Sequence, residues 1–162
     1  MVRILLVDDN PSDVAQGLEA LRAQGFSGSV RVARGGQEAL DFLLGRGQFQ
    51  DRRRHPLPDL VLLDLNMPRV DGFRVLRQMR RCESLKRIPV VALCGSAEEA
   101  LRAVAGEVRA NDCIVKPLAA ADVERLSLGY RNWTLRLDLP EESPVQPAWP
   151  RELSAPVTGG AA

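Results

Sequence analysis

The stretch that decides the fold is Asp59-Leu-Val-Leu-Leu-Asp64-Leu-Asn66-Met-Pro68-Arg-Val-Asp-Gly72. Its apolar run, residues 60–63, has no polar alternation, which is typical of a strand buried on both faces of a parallel sheet. Asp64 follows this run, at the carboxyl end of the predicted strand. Ligands of open parallel α/β sheets bind beyond those ends. On this stretch alone, a functional Asp64 and an Asp that merely ends a strand are equally good interpretations.

Apolar runs alternate with helical spacing along the whole sequence. The other predicted strands are Val2–Val7, Val30–Ala33, Ile88–Leu93 and Cys113–Val115. The residues predicted to line the helices' inner faces are Val14, Leu18 and Leu21; Ala39, Leu40, Leu43 and Leu44; Phe73, Val75, Leu76 and Met79; Leu101, Val104, Ala105 and Val108; and Val123, Leu126 and Tyr130. Five consecutive βα units predict a flavodoxin-like, doubly wound α/β fold with a five-stranded parallel sheet of order 2-1-3-4-5.

Composition narrows the classes of function. The chain has 162 residues, 45% of them hydrophobic, which fits one domain with one sizeable core. Because 22 Lys and Arg balance 21 Asp and Glu, no overall charge favours nucleic acid or an anionic membrane. No run approaches the ~20 apolar residues of a spanning helix, and no signal peptide is recognisable. We therefore expect a soluble, cytoplasmic protein, and the odd count of three cysteines suits a reducing compartment.

Acidic residues follow two strands that the predicted order makes neighbours. Asp8 and Asp9 end the first strand and Asp64 ends the third, so three carboxylates are expected in one crevice. Such a cluster repels itself unless a cation neutralises it. Mg²⁺, which needs oxygen ligands at ~2.0–2.1 Å and retains waters, is the expected cation. The backbone carbonyl of Asn66 is a candidate third ligand.

Lys116 adds a positive charge at the end of the fifth strand. Together with the acids it predicts a site with one carboxylate nucleophile, one metal ion and one ammonium group. An Asp in such a site can attack a phosphoryl group and form an acyl phosphate. Asp64 is the predicted acceptor, because it follows the central strand.

These motifs resemble the receiver domains of two-component response regulators. The matching segments are Ile4-Leu-Leu-Val-Asp8-Asp9-Asn-Pro11, Leu62-Leu-Asp64-Leu-Asn-Met-Pro68, Asp71-Gly72 and Val115-Lys116-Pro117, within about residues 1–130. The resemblance implies that Asp64 accepts a phosphoryl group from the phosphohistidine of a sensor histidine kinase. It also implies that Asp9 binds Mg²⁺ directly, that Asp8 acts mainly through water, and that Lys116 contacts the phosphoryl group.

Two features resemble the single-domain receivers that serve bacterial and cyanobacterial phytochrome kinases. One is the long connection over residues 45–58, and the other is the extension over residues 130–140 with its Trp133 and Leu-Pro ending. The resemblance implies a bacteriophytochrome partner and a homodimer held by residues from about 119 to 140, with Trp133, Leu135 and Leu137 as contacts. We expect a receiver domain over 1–131, a strand-like extension over 132–140, a flexible tail over 141–162, and no output domain.

The departures from the family pattern leave two functions open. Receivers carry Thr or Ser at the end of strand four and an aromatic residue at the start of strand five, whereas this chain has Cys94 and Cys113. A thiol is a weaker hydrogen-bond donor than a hydroxyl. Ser96 is a candidate replacement donor, and Gly95 keeps the approach to the phosphate open. The chain is therefore either a phosphorylatable receiver or a degenerate receiver that binds partners independently of phosphorylation.

Other functions are disfavoured. An aspartyl phosphatase needs an Asp acid/base two residues after its nucleophile, where this chain has Asn66. A P-loop nucleotide enzyme is disfavoured because no GxxxxGK[ST] motif occurs. The run Arg52-Arg53-Arg54 is interpreted as solvated surface.

Overall fold

A computed structural model describes residues 1–129, which form a sheet of five strands connected by helices. The strands are β1 (Arg3–Val7), β2 (Ser29–Ala33), β3 (Leu60–Asp64), β4 (Val90–Cys94) and β5 (Asp112–Val115). The helices are α1 (Pro11–Ala23), α2 (Gly36–Leu44), α3 (Gly72–Arg81), α4 (Ala97–Ala105) and α5 (Ala120–Gly129), with a 3₁₀ turn over Gly47–Phe49. The predicted residues Tyr130, Trp133, Leu135 and Leu137, and the whole of the segments 130–140 and 141–162, lie outside the described residues.

The sheet is entirely parallel and has the order β2-β1-β3-β4-β5, which confirms the predicted fold. The register places Val7 of β1 beside Leu63 of β3, so these two strands end at the same level. Asp64 pairs with Leu93 of β4. The loops that follow β1, β3 and β4 therefore meet at one edge of the sheet.

Two apolar layers enclose the sheet, and they explain the lack of polar alternation in its strands. Val61 and Leu63 point into the layer covered by α2, α3 and α4, whereas Leu60 and Leu62 point into the layer covered by α1 and α5. Each strand thus buries successive side chains on opposite faces. Within the described residues, no helix is both long enough and apolar enough to cross a membrane.

The prediction of which residues α4 buries is wrong. Leu101 is 67% exposed, and the helix ends at Ala105, before Val108. The side chains that α4 buries are those of Glu99, Ala100 and Ala103. The apolar residues of this short helix are spread over most of its circumference, so their spacing does not identify the buried face.

The long connection between α2 and β3 is packed onto the domain. Phe49 is buried and lies edge-to-face against Phe42 and His55, with ring centroids 5.4 and 5.3 Å away. Arg52 donates to the carbonyl oxygens of Phe42 and Leu43, both at 2.7 Å, and to that of His55 at 3.3 Å. The interpretation as solvated surface is therefore wrong for Arg52, although Arg53 and Arg54 are exposed.

We expect Arg52→Ala to lower the free energy of unfolding by about 2 kcal/mol. The reason is that two carbonyl groups at the end of α2 lose a charged donor, and such hydrogen bonds contribute ~1.5–3 kcal/mol each. Urea unfolding measures the change. Arg53→Ala is the matched control and should stay within about 0.5 kcal/mol of the wild type. Equal losses for both variants would show that the Arg52 contacts are not stabilising.

Candidate functional site

The structure brings the three predicted carboxylates together where β1 and β3 end. Asp8, Asp9 and Asp64 each offer one oxygen atom, and these atoms all lie within 4.8 Å of one another. Asp8 and Asp64 are buried, with Asp64 only 2% exposed, whereas Asp9 is open to solvent. One face of the cluster is thus accessible, while its base is enclosed by protein.

Short loops hold the two buried carboxylates in place. Asp8 Oδ1 accepts a hydrogen bond from the backbone N–H of Asn10 at 2.9 Å, and Asn10 in turn caps α1. Asp64 Oδ1 accepts in the same way from the backbone N–H of Asn66 at 3.1 Å. The loops therefore fix the side chains through main-chain donors, each of which engages only the Oδ1 atom of its carboxylate.

Burial makes the charge on Asp64 costly. Removal from water, followed by the repulsion of Asp8, raises the pKa of Asp64 to about 6. The N–H of Asn66 and the ammonium group of Lys116 oppose this shift only in part. Asp64 is thus ionised at neutral pH, but it would be more stable beside a further positive charge.

Lys116 lies within reach of three carboxylates. Its Nζ is 2.8 Å from Asp8 Oδ2, 2.8 Å from Asp13 Oδ2 and 3.3 Å from Asp64 Oδ1. Burial opposes the charged ammonium group, but the hydrogen bonds to Asp13 and Asp8 outweigh it and raise the pKa of Lys116. Asp13 was not predicted from sequence, because an acid in the first turn of a helix is ordinarily explained by the helix dipole.

The carboxylates fit a hard divalent cation. Three carboxylate oxygens converge, and their negative charge exceeds the positive charge of Lys116. The cluster is open to solvent on the side of Asp9, which is exposed. Mg²⁺ is bound by carboxylates and water in such sites. Asn66 lies in the loop directly after Asp64, where its carbonyl was predicted to bind, and that ligand stays a prediction.

A further acid, Glu99, lies beside the cluster and is likewise not predicted from the sequence. It is 6% exposed, and its Oε2 accepts from Asn66 Nδ2 at 2.8 Å and from the N–H of Gly95 at 3.1 Å. Ser96 caps α4 by accepting from the N–H of Glu99 at 3.2 Å. The spacing Ser96-x-x-Glu99 is that of a capping box, in which the Glu carboxylate returns to the N–H of the cap residue. Here the carboxylate bonds to Gly95 instead.

The two predicted switch positions hold free thiols. Cys94 is fully buried at the end of β4, while Cys113 is half-buried against the same apolar layer. Burial, with a contribution from Glu99, raises the pKa of Cys94 to about 12, so this thiol stays protonated at neutral pH. Neither side chain supplies the hydroxyl or the aromatic ring of the family pattern.

We expect Asp64→Asn to be more stable than the wild type at pH 7.5 in the presence of a chelator, by about 2 kcal/mol. The folded-state pKa of Asp64, about 6, lies above the ordinary value of 3.8. The folded protein therefore loses stability as the pH rises through 6, and keeps it below about pH 4. Asn has no such titration.

Urea unfolding at pH 4.5, 6 and 7.5 measures this difference between the two proteins. The advantage of Asp64→Asn should shrink toward zero at the lowest pH. Asp41→Asn, an exchange on α2 away from the cluster, should show no such trend. A difference that is independent of pH would contradict the raised pKa.

Comparisons with known proteins agree with this geometry. Residues 4–126 match the response regulator receiver domain. The probable methanogenesis regulatory protein FilR2 of Methanothrix harundinacea is 39% identical over 124 residues, which is 75% of this chain and 76% of FilR2. The response regulator Rcp1 of Synechocystis sp. is 33% identical over 138 residues, covering 85% of this chain and 92% of Rcp1.

A solved structure, that of the bacteriophytochrome response regulator AtBRR, is also similar. It is 36% identical with a TM-score of 0.74, and the match covers 88% of this chain and 99% of AtBRR. The predicted resemblance to phytochrome-associated response regulators is therefore confirmed. On its sequence, its fold and its acidic site, the chain belongs to the family of response regulator receiver domains.

Proposed function

We propose that the protein is a signalling receiver that accepts a phosphoryl group on Asp64 from a sensor histidine kinase of the phytochrome type, in a Mg²⁺-dependent reaction. The observation that carries the proposal is the convergence of Asp64 with Asp8, Asp9 and Lys116 at the carboxyl edge of the sheet. This group combines a nucleophile, a cation site and a fixed positive charge.

The chemistry assigned to each residue follows from its contacts. A carboxylate oxygen of Asp64 attacks phosphorus, the P–N bond of the phosphohistidine breaks, and the departing imidazole nitrogen takes up a proton. Lys116 lies 3.3 Å from Asp64 and offers its ammonium group to a phosphoryl oxygen. Asp8, Asp9 and Asp64 would hold Mg²⁺, which when bound supplies positive charge that offsets the charge on the transferring group.

Relatives support the metal, the phosphorylation and the partner. One similar solved structure is the Mn²⁺-bound form of Rcp1, and another is phosphorylated RcpA, a cyanobacterial phytochrome response regulator. AtBRR is named as a bacteriophytochrome response regulator. We assign a partner of the same class to this chain. The predicted homodimer stays a prediction, because its contact residues lie outside the described part of the chain.

The alternative is a degenerate receiver that binds its partners whether or not it is phosphorylated. Cys94 and Cys113 favour this alternative, because they replace the hydroxyl and the aromatic ring of the family's switch. The intact acidic group and Lys116 favour phosphorylation.

Intact-mass measurement after incubation with a small phosphodonor decides between the two functions. With Mg²⁺, we expect the mass of one phosphoryl group to be added, and with a chelator in place of Mg²⁺ we expect no addition. An unchanged mass at saturating donor and Mg²⁺ would exclude the receiver function and leave the interaction module.

A further inference from the structure

Glu99 accepts hydrogen bonds from the two loops that follow β3 and β4, beside Asp64. Asn66 connects the two acids, because its backbone N–H donates to Asp64 and its side-chain amide donates to Glu99. The Glu99 carboxylate also takes the N–H of Gly95, which follows the end of β4. Since Asp64 pairs with Leu93, this N–H lies next to the acceptor strand.

The Glu99 carboxylate is held incompletely. Its Oε1 is buried and has no hydrogen-bond partner among the residues that the structure describes. A buried acceptor without a donor destabilises the arrangement that contains it. The Glu99 carboxylate is therefore held less favourably than a fully hydrogen-bonded one would be, although its Oε2 accepts from two donors.

We propose that the Glu99 carboxylate takes the place of a phosphoryl oxygen in the unphosphorylated protein, and that phosphorylation of Asp64 displaces Glu99 and with it the first turn of α4. This inference rests on the proposed function of Asp64. A phosphoryl group brings negative charge beside a carboxylate, and like charges this close repel. The N–H of Gly95 also cannot serve two strong acceptors equally well.

Displacement of Glu99 gives the protein a structural response to phosphorylation that needs neither a hydroxyl at position 94 nor an aromatic ring at position 113. Glu99 ties the first turn of α4 to the loop after β3, while Ser96 only caps the helix from its own chain. Release of Glu99 frees this turn, and α4 carries the exposed Leu101 on its outer surface. Movement of a charged side chain thus replaces the hydroxyl and the aromatic ring as the reporter of phosphorylation.

Titration of the full-length protein with beryllofluoride in the presence of Mg²⁺ tests the proposal, because this anion imitates a phosphoryl group on an aspartate. Glu99→Gln keeps an oxygen acceptor for Gly95 and Asn66 but removes the negative charge. We expect it to bind beryllofluoride about tenfold more tightly than the wild type. Glu98→Gln makes the same charge change at the neighbouring exposed position and should bind as the wild type does.

Mg²⁺ affinity without beryllofluoride separates charge competition from a loosened fold. Charge competition predicts that Glu99→Gln binds Mg²⁺ with about the affinity of the wild type while it binds beryllofluoride more tightly, whereas general loosening would weaken binding of the cation and the anion together. Equal or weaker beryllofluoride binding by Glu99→Gln overturns the proposal while leaving Asp64 as the acceptor. Absence of binding in both the wild type and the variant overturns the acceptor role as well.

Hydrogen exchange of the wild type provides a measurement that needs no variant. Beryllofluoride should speed amide exchange in peptides covering residues 97–101, while peptides from β1 should not change. Unchanged or slower exchange in the first turn of α4 would show that Glu99 stays in place, and would overturn the proposal.

Discussion

Asp64→Asn is expected to abolish phosphorylation by a small phosphodonor, with at least a ~100-fold loss in the amount of phosphorylated protein. The amide oxygen of Asn is a poor nucleophile, and no acyl phosphate can form on it. Asn nevertheless retains an oxygen that can accept from the N–H of Asn66, so the loop after β3 keeps its main contact. The loss of phosphorylation would therefore come from the missing carboxylate nucleophile and not from a disrupted loop.

Stability measurements separate this result from unfolding. We expect Asp64→Asn to be at least as stable as the wild type near neutral pH, because the buried negative charge is gone. Intact mass with Mg²⁺ and donor measures the phosphorylation, and Asp41→Asn should react as the wild type does. Labelling of Asp64→Asn at the wild-type level would instead assign the phosphoryl group to another residue.

The fold was predictable because burial and topology leave few alternatives. Residues 60–63 have no polar face, so their strand had to be covered on both sides by helices. Parallel strands with right-handed connections then place Asp8 and Asp64 at the same edge. This reasoning needs only the pattern of apolar residues and the ends of the strands.

Side-chain contacts across the fold were not predictable in the same way. Lys116 and Asp13 are 103 positions apart and meet because α1 and the loop after β5 converge, which no local spacing encodes. Glu99 carries a charge in the first turn of a helix, where exposure is the ordinary expectation. Its burial depends on donors from Asn66 and Gly95, which lie in two different loops.

The α4 helix shows the limit of periodicity most clearly. Leu101 and Val104 were predicted to anchor it, but the smaller Ala100 and Ala103 pack on the sheet. Glu99 precedes Ala100 and is buried with it, and its Oε2 accepts from the N–H of Gly95. Because the prediction gave weight to Leu101 and Val104, it selected the wrong face of α4 and did not identify Glu99 as buried.

Lys116→Met is expected to lower the free energy of unfolding by about 3 kcal/mol in the presence of a chelator. Lys116 is 20% exposed and contacts Asp8, Asp13 and Asp64, so its loss leaves three carboxylates without their cation. Removal of one partner of a buried ion pair lowers the free energy of unfolding by about 3–5 kcal/mol, and the partial exposure of Lys116 reduces the effect here. Because Lys116 lowers the pKa of Asp64, its removal would also raise that pKa further above 6.

The sign of the pH dependence follows from this shift. A group whose folded-state pKa is raised stabilises the fold below its unfolded value and loses that stabilisation as the pH rises. The deficit of Lys116→Met should therefore be small near pH 4 and largest above pH 7. Saturating Mg²⁺ should reduce it, because a cation bound by the carboxylates stabilises the folded state.

Lys86 offers the matched control, since it is the other lysine of the chain and pairs with Glu83 at the surface. Surface pairs contribute ~0–1 kcal/mol, so Lys86→Met should change stability little and show no response to Mg²⁺. Urea unfolding of both variants, with chelator and with Mg²⁺, measures these differences. If Lys116→Met unfolds at the same urea concentration as Lys86→Met in chelator, Lys116 does not hold the carboxylates together, and its role would be confined to the phosphoryl group.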